Sequence, residues 1–269
     1  MTIISAGDIN IAVTDVGDGT PVVLLHGLAC GKRMWFHQIR GLKDRFRVIA
    51  YDQRGHGATD APDDAARYSA KHLAQDLVGV LDALKLPKVH LVGFSMGGGP
   101  ALALAASAPD RVSRLVLANV GAGAEDTWKS QWLSKRWSGF ARDDADGELV
   151  ADMLRSEFFK GYVKRGRRYR CYMAGLIRGT PVAGLRHTFS EVIGKRKSLF
   201  RMNGMLSSIK VPTLIMSGQH DYVCRSSTRL FMELIPGATL KVIEGAGHMS
   251  PLEAPKVFNQ NLIDFLSET

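Results

Sequence analysis

Cysteine is scarce in this chain of 269 residues, with Cys30, Cys171 and Cys224 scattered, odd in number and in no C-x-x-C pair. That excludes a disulfide-framed fold and a structural zinc site, and it reads as reduced thiols in a cytoplasmic protein. Long apolar runs are missing too. No segment approaches the roughly 20 apolar residues that a membrane-spanning helix requires. The start, Met1 to Asp8, has neither a basic region nor a sustained apolar stretch, so no signal peptide is expected. Internal repeats, low-complexity tracts and flexible linkers are absent. So are H-E-x-x-H, G-x-x-x-x-G-K and a G-x-G-x-x-G following a strand, so neither a metal nor a nucleotide cofactor is implied.

Acidic residues are sparse in one region. The net charge is +9, yet between Lys129 and Lys210 there are eighteen Lys and Arg against seven Asp and Glu. That local excess of eleven leaves the rest of the chain slightly acidic. The run Lys164-Arg165-Gly166-Arg167-Arg168-Tyr169-Arg170 invites a nucleic-acid reading, but a solvated helix face explains it more simply. A third reading is a cationic wall that steers anionic small molecules.

Short apolar runs alternate with helical patterns. Thr2–Ser5 and Ile9–Thr14 read as paired strands, followed by Val22–Leu25, Arg47–Tyr51, Val89–Val92 and Leu115–Leu117. Ser69 opens a helix in which Leu73, Leu77, Val80, Leu81 and Leu84 recur at helical spacing. From about Glu125 to Met205 no strand run occurs. The alternation resumes with Pro212–Met216, a helix near Ser226–Leu234, the strand Leu240–Ile243 and a final helix ending at Leu266. Alternation of this kind predicts right-handed βαβ units and a mostly parallel sheet covered by helices.

The stretch Val92-Gly93-Phe94-Ser95-Met96-Gly97-Gly98-Gly99 falls where a strand turns into a helix. A serine at the tip of such a turn takes a strained, positive-φ backbone, and small neighbours let strand and helix approach closely. Its hydroxyl needs a base, and the base needs a carboxylate to fix its tautomer. His248 follows the last strand, and Asp221 follows the strand ending at Met216. Parallel strands place both at the sheet edge where Ser95 lies. Two backbone N–H groups, of Met96 and of Leu28 in His26-Gly27-Leu28, are positioned to hold an oxyanion.

Four separated motifs, His26-Gly27-Leu28, Asp52-x-Arg54-Gly55-x-Gly57, Gly93-x-Ser95-x-Gly97 and the Asp221/His248 pair, make the chain resemble the α/β-hydrolase fold family. The resemblance runs from about Ile9 to Leu266. It implies a core of residues 1–124 and 206–269 with a helical cap, residues 125–205, inserted after the sixth strand. Gly98-Gly99 and the Gly247-His248-x-x-Pro251-x-Glu253 tail are similar to esterases, enol-lactonases and cofactor-free perhydrolases.

The activity this implies is cofactor-free hydrolysis of a carboxylic ester or lactone on Ser95, His248 and Asp221, with an anionic substrate as one possibility. A serine nucleophile separates the chain from the epoxide hydrolases and haloalkane dehalogenases of this fold, which use Asp. Meta-cleavage carbon–carbon hydrolases share the triad but carry Asn where Phe94 stands. The same fold also accommodates perhydrolysis on the triad, or a ligand receptor with no catalysis at all. The expected partner is a small acyl molecule, with neither nucleic acid nor membrane involved. Asp52, Arg54 and His26 are expected to buttress turns, and Trp128, Trp132, Phe158 and Phe159 are candidates for an acyl pocket.

Overall fold

The computed structural model describes residues 1–121, 127–141 and 146–268. Eight strands form one sheet in the order β1-β2-β4-β3-β5-β6-β7-β8. They are β1 (Thr2–Ala6), β2 (Ile9–Val16), β3 (Pro21–Leu25), β4 (Arg47–Tyr51), β5 (Val89–Phe94), β6 (Val112–Ala118), β7 (Thr213–Gly218) and β8 (Thr239–Ile243). The pairings of β2 with β1 and β4 are antiparallel and every other pairing is parallel, from Val22 beside Val48 to Gly218 beside Ile243.

Alternation along the strands divides the core. Val22, Leu24, Val48, Ala50, Val92 and Phe94 face one layer, which holds α1 (Phe36–Leu42) and, at the far end of the chain, the helix Pro255–Leu266. Their neighbours Val23, Leu25, Ile49, Tyr51, Val89 and Leu91 face the other. That second layer contains α2 (Ala70–Ala83) and α3 (Gly98–Ser107). A period of two puts successive side chains on opposite faces, so a sheet covered on both sides needs the continuous apolar runs seen here. Ser69 caps α2 by accepting from the His72 N–H, as its position before the periodic leucines predicts.

Between β6 and β7 the described residues are helical in the main. They comprise α4 (Thr127–Phe140), α5 (Asp146–Arg155), α6 (Lys160–Val163), α7 (Arg167–Arg178), α8 (Val182–His187), a π-helical turn at Thr188–Ile193 and α9 (Asn203–Ser207). The expected boundary at residues 124 and 125 lies outside the described residues. Trp137, Met153, Phe159 and Met173 of this segment join the same apolar cluster as Met34, Phe94 and Met249. After β7 come α10 (Arg225–Leu234), α11 (Ser250–Glu253) and α12 (Pro255–Leu266). The last helical stretch is therefore two pieces, because Ala254 leaves the helical region ahead of Pro255.

The turn from β5 into α3 sets the whole carboxyl edge. Ser95 has φ 51°, a left-handed backbone uncommon for a residue with a side chain. A Cβ on Gly93 would stand 2.7 Å from the Gly98 Cα and 2.8 Å from the Gly97 oxygen. Gly93→Ala must therefore push helix α3 off the strand. We expect a loss of about 1–3 kcal/mol and a lowered Tm by thermal unfolding, with activity falling further than stability.

Candidate active site

Ser95, His248 and Asp221 come together at the carboxyl edge. His248 Nε2 lies 3.1 Å from Ser95 Oγ, and His248 Nδ1 lies 3.1 and 3.2 Å from the two Asp221 oxygens. His248 and Asp221 are both buried. Burial opposes ionisation of Asp221, but the His248 imidazole and hydrogen bonds from His248, Asn119 and Cys224 outweigh it. The carboxyl is held below its ordinary range.

The loops that carry these groups are laced to one another. Gly218 ends β7 against the Gly247 and Ala246 carbonyl oxygens, so closely that a Cβ there would sit 2.1 and 2.6 Å from them. His220 N–H donates to Ala246 O at 2.8 Å, and Gly245 N–H donates to Gln219 Oε1 at 2.9 Å. Glu253 accepts from both neighbours of the histidine, Gly247 N–H at 2.6 Å and Met249 N–H at 3.2 Å. These contacts fix the imidazole before any substrate arrives.

Three supporting residues lie outside the triad and oxyanion set read from the sequence, although Asn119 follows the sixth strand, where some relatives of this fold carry the acid. Asn119, at φ 52°, donates from Nδ2 to Asp221 Oδ2 at 2.6 Å and accepts from Ser250 Oγ at 2.5 Å. Cys224 Sγ donates to Asn119 O at 3.2 Å and lies 3.7 Å from His248 Nδ1. Glu253 is visible in sequence only as part of a tail motif. A polar residue just past a buried strand is the available signal for Asn119.

The second oxyanion candidate is placed by glycine. A Cβ on Gly27 would lie 3.3 Å from the Ser95 Cβ, so this backbone presses directly on the serine turn and carries Leu28 to its side. Leu28 and Met96 both line the cavity into which Ser95 opens. Two histidines hold the loop. Gln53 N–H donates to His26 Nε2 at 2.8 Å, and Ala29 N–H donates to His56 Nε2 at 3.2 Å. Each ring's Nδ1 faces a carbonyl, Gly27 O at 2.7 Å and Arg54 O at 3.1 Å. The network thus assigns both as neutral with the proton on Nδ1.

Asp52 ties the same loop down, accepting from Lys32 N–H at 2.6 Å and Ala58 N–H at 3.1 Å and pairing with the buried Lys32 ammonium. Arg54 bonds Asp76 and Asp8. Both are buttresses, as their positions in the sequence suggest.

The cavity measures about 630 Å³. Phe158, Phe159, Trp137, Phe189 and Leu133 form an apolar wall, and the Phe158 ring stands 5.2 Å from that of His248, edge to face. Two expectations need correcting. Trp128 and Trp132 are 65% and 58% exposed and are not in this wall; Trp137, further along α4, takes that place. The basic run at 164–170 also lies outside the cavity, with Arg165 and Arg168 over the Tyr169 ring. Among the described residues the cations that line it are Lys71, Lys195, Arg196 and Lys197, accompanied by Glu191, which pairs with Lys195. Cys30 faces the cavity, but burial pushes its thiol up to about 12, which leaves it a poor nucleophile.

Residues 20–255 match the family model described as alpha/beta hydrolase fold. The chain belongs to the α/β-hydrolase fold family. A relative in Pseudomonas putida, 2-hydroxy-6-oxo-2,4-heptadienoate hydrolase, is 32% identical over 97% of this chain and 94% of its own. The 3-oxoadipate enol-lactonase 1 of Acinetobacter baylyi is 28% identical over 96% and 92%. The crystal structure of the enol-lactonase from Burkholderia xenovorans LB400 superposes with a TM-score of 0.87 at 26% identity, over 99% of this chain and 100% of that one. The chain is thus a hydrolase of this fold, and aromatic residues from the helices between β6 and β7 help to wall its cavity.

The neutral histidines give this hydrolase an acid limit. Burial, reinforced by His56, pushes His26 down to about 3, and burial also lowers His56. The unfolded chain takes up these protons near pH 6.5 while the folded chain refuses them. Stability therefore falls as pH drops from about 6.5 toward 3, at up to ~1.4 kcal/mol per pH unit for His26 alone. Tm measured across pH 4–8 should decline on the acid side, and His26→Asn should flatten that slope. An unchanged slope would show that the titration lies elsewhere.

Proposed function

We propose that this hydrolase cleaves carboxylic esters or lactones through an acyl-enzyme on Ser95. The observation that carries this reading is the unbroken relay from Ser95 through His248 to Asp221, opening on a cavity that Leu28 and Met96 also line. His248 Nε2 removes the Ser95 proton as Oγ attacks the carbonyl carbon. The Leu28 and Met96 N–H groups receive the oxyanion, worth about 3–4 kcal/mol per donor. Asp221 stabilises the imidazolium, which then protonates the leaving alkoxide, and a water activated by His248 releases the acid. The strained backbone at Ser95 also favours an enzyme over a ligand receptor, since binding alone has no use for it.

In this reading the helices of residues 125–205 cap the site and shape specificity. The aromatic wall receives the apolar part of a small acyl molecule. Lys195 and Lys197, together with Lys71 and Arg196, favour a substrate with an anionic end. Cytoplasmic location and the absence of nucleic-acid or membrane partners belong to the same proposal. No helix among the described residues is long and apolar enough to cross a membrane.

Carbon–carbon hydrolysis on the same triad is the second reading, favoured by the 32% identical Pseudomonas putida relative. A panel of p-nitrophenyl esters, lactones and vinylogous diketones separates the two by kcat/KM. A fluorophosphonate probe should label the wild type and leave Ser95→Ala unlabelled. Asp221→Asn should lower kcat by roughly 10³–10⁴. Labelling that persists in Ser95→Ala would overturn the assignment.

The rim makes a separate prediction. Lys195→Glu with Lys197→Glu should lower kcat/KM for an acyl ester bearing a carboxylate by about tenfold at low salt and barely alter a neutral ester. Equal losses on both would remove the anionic preference.

A further inference from the structure

We propose that Asp221, Cys224 and His248 together form a site for a soft divalent cation of the zinc class, and that its occupancy switches the hydrolase off. The Cys224 thiol carries no reacting atom of the hydrolysis on Ser95, yet it lies buried beside the acid and the base. One donor atom from each of the three residues falls within 4.8 Å of the others. The spacing fits a metal. An ion about 2.0–2.1 Å from nitrogen and oxygen and about 2.3 Å from sulfur, with tetrahedral angles, needs N···O near ~3.3 Å and N···S near ~3.6 Å. His248 Nδ1 lies 3.1 and 3.2 Å from the Asp221 oxygens and 3.7 Å from Cys224 Sγ.

Charge favours the same occupant. With the thiol and the Nδ1 proton displaced, a divalent ion meets one carboxylate, one thiolate and one neutral imidazole. The buried cluster then carries no net charge, which removes most of the cost of placing an ion there. The thiolate and imidazole select zinc-class ions over magnesium or calcium, which prefer oxygen. Val223, His248 and Met249 line the cavity, so the cluster sits directly behind its wall. Scattered cysteines give no hint of this in the sequence, because the three ligands come from two loops joined only by the fold.

Three bonds form, to Nδ1, Sγ and a carboxylate oxygen; the thiol proton leaves to solvent, and the ring proton moves from Nδ1 to Nε2, so the imidazole stays neutral. No electron is transferred. The metal takes the place of the proton through which Asp221 orients His248, and Nε2, now protonated, has no lone pair left to accept the Ser95 proton. Because the thiol proton is released, apparent affinity rises with pH.

The inhibitory arm rests on the serine-hydrolase reading, so the test uses two readouts. With p-nitrophenyl acetate, micromolar zinc chloride should reduce turnover of the full chain, and EDTA should restore it. Relative to its own metal-free rate, Cys224→Ala should need roughly tenfold or more zinc for the same inhibition, while Cys171→Ala, at an exposed site, should match the wild type. Cys224→Ser, which keeps the hydrogen-bonding shape, is the companion should alanine unfold the loop. Independently of any activity, cobalt(II) should give a thiolate charge-transfer band in the wild type that both Cys224 variants lose. Equal zinc inhibition in wild type and Cys224 variants would overturn the proposal. So would cobalt binding without the thiolate band, or a band with no loss of turnover. A thiolate band in a protein inert toward esters would support the metal site while refuting ester cleavage on Ser95.

Discussion

Everything at the carboxyl edge depends on how closely backbone can approach backbone around Ser95. Gly93 meets Gly98 from below, and Gly97 packs against Leu25 and His26 oxygens, where an added Cβ would stand 2.4 and 2.8 Å away. Gly27 lies against Phe94 and Ser95. These contacts leave no slack for the serine to relax out of its left-handed conformation. The hydroxyl is held toward His248 by sterics imposed from three sides, and strand β5, loop 26–30 and helix α3 are locked into one relative position by the same contacts.

A second level of constraint is polar and lies under the first. The loop that carries Leu28 is suspended from neutral imidazoles and from Asp52. Hydrogen bonds of this kind are directional, so they fix where N–H groups point as well as where the loop sits. The histidine loop uses the Glu253 carboxylate in the same way. A pre-set electrostatic site follows from groups that are several bonds removed from the reaction.

The sheet, its helices and the serine, histidine and aspartate were legible in the sequence because each has a local cause. Strand runs are apolar on both faces, Ser69 precedes a leucine periodicity, and Gly-x-Ser-x-Gly sits between a strand and a helix. Contacts across distant segments were not legible. Asn119 and Cys224 reach Asp221 and His248 only after β6, β7 and β8 are aligned, and no spacing encodes that. The tryptophans show the other failure. Trp128, Trp132 and Trp137 look alike in sequence, and the rotation of α4 alone sends Trp137 inward and the other two to solvent. Charge density misled in the same manner: the dense run at 164–170 is outside the cavity, while the shorter Lys195-Arg196-Lys197 segment lines it.

The apolar cluster that runs from Trp137, Met153 and Phe159 into Met34, Phe94 and Met249 has a kinetic consequence. Lifting the helical segment away as a rigid lid would expose all of that surface at once, at about 25 cal/mol for each Å² uncovered. Thermal motion rarely supplies so large a cost. Small movements at the edge of the cavity, where Lys71, Lys195 and Lys197 are exposed, uncover far less surface. Whatever this chamber admits meets both an apolar wall and the cations of the 195–197 segment.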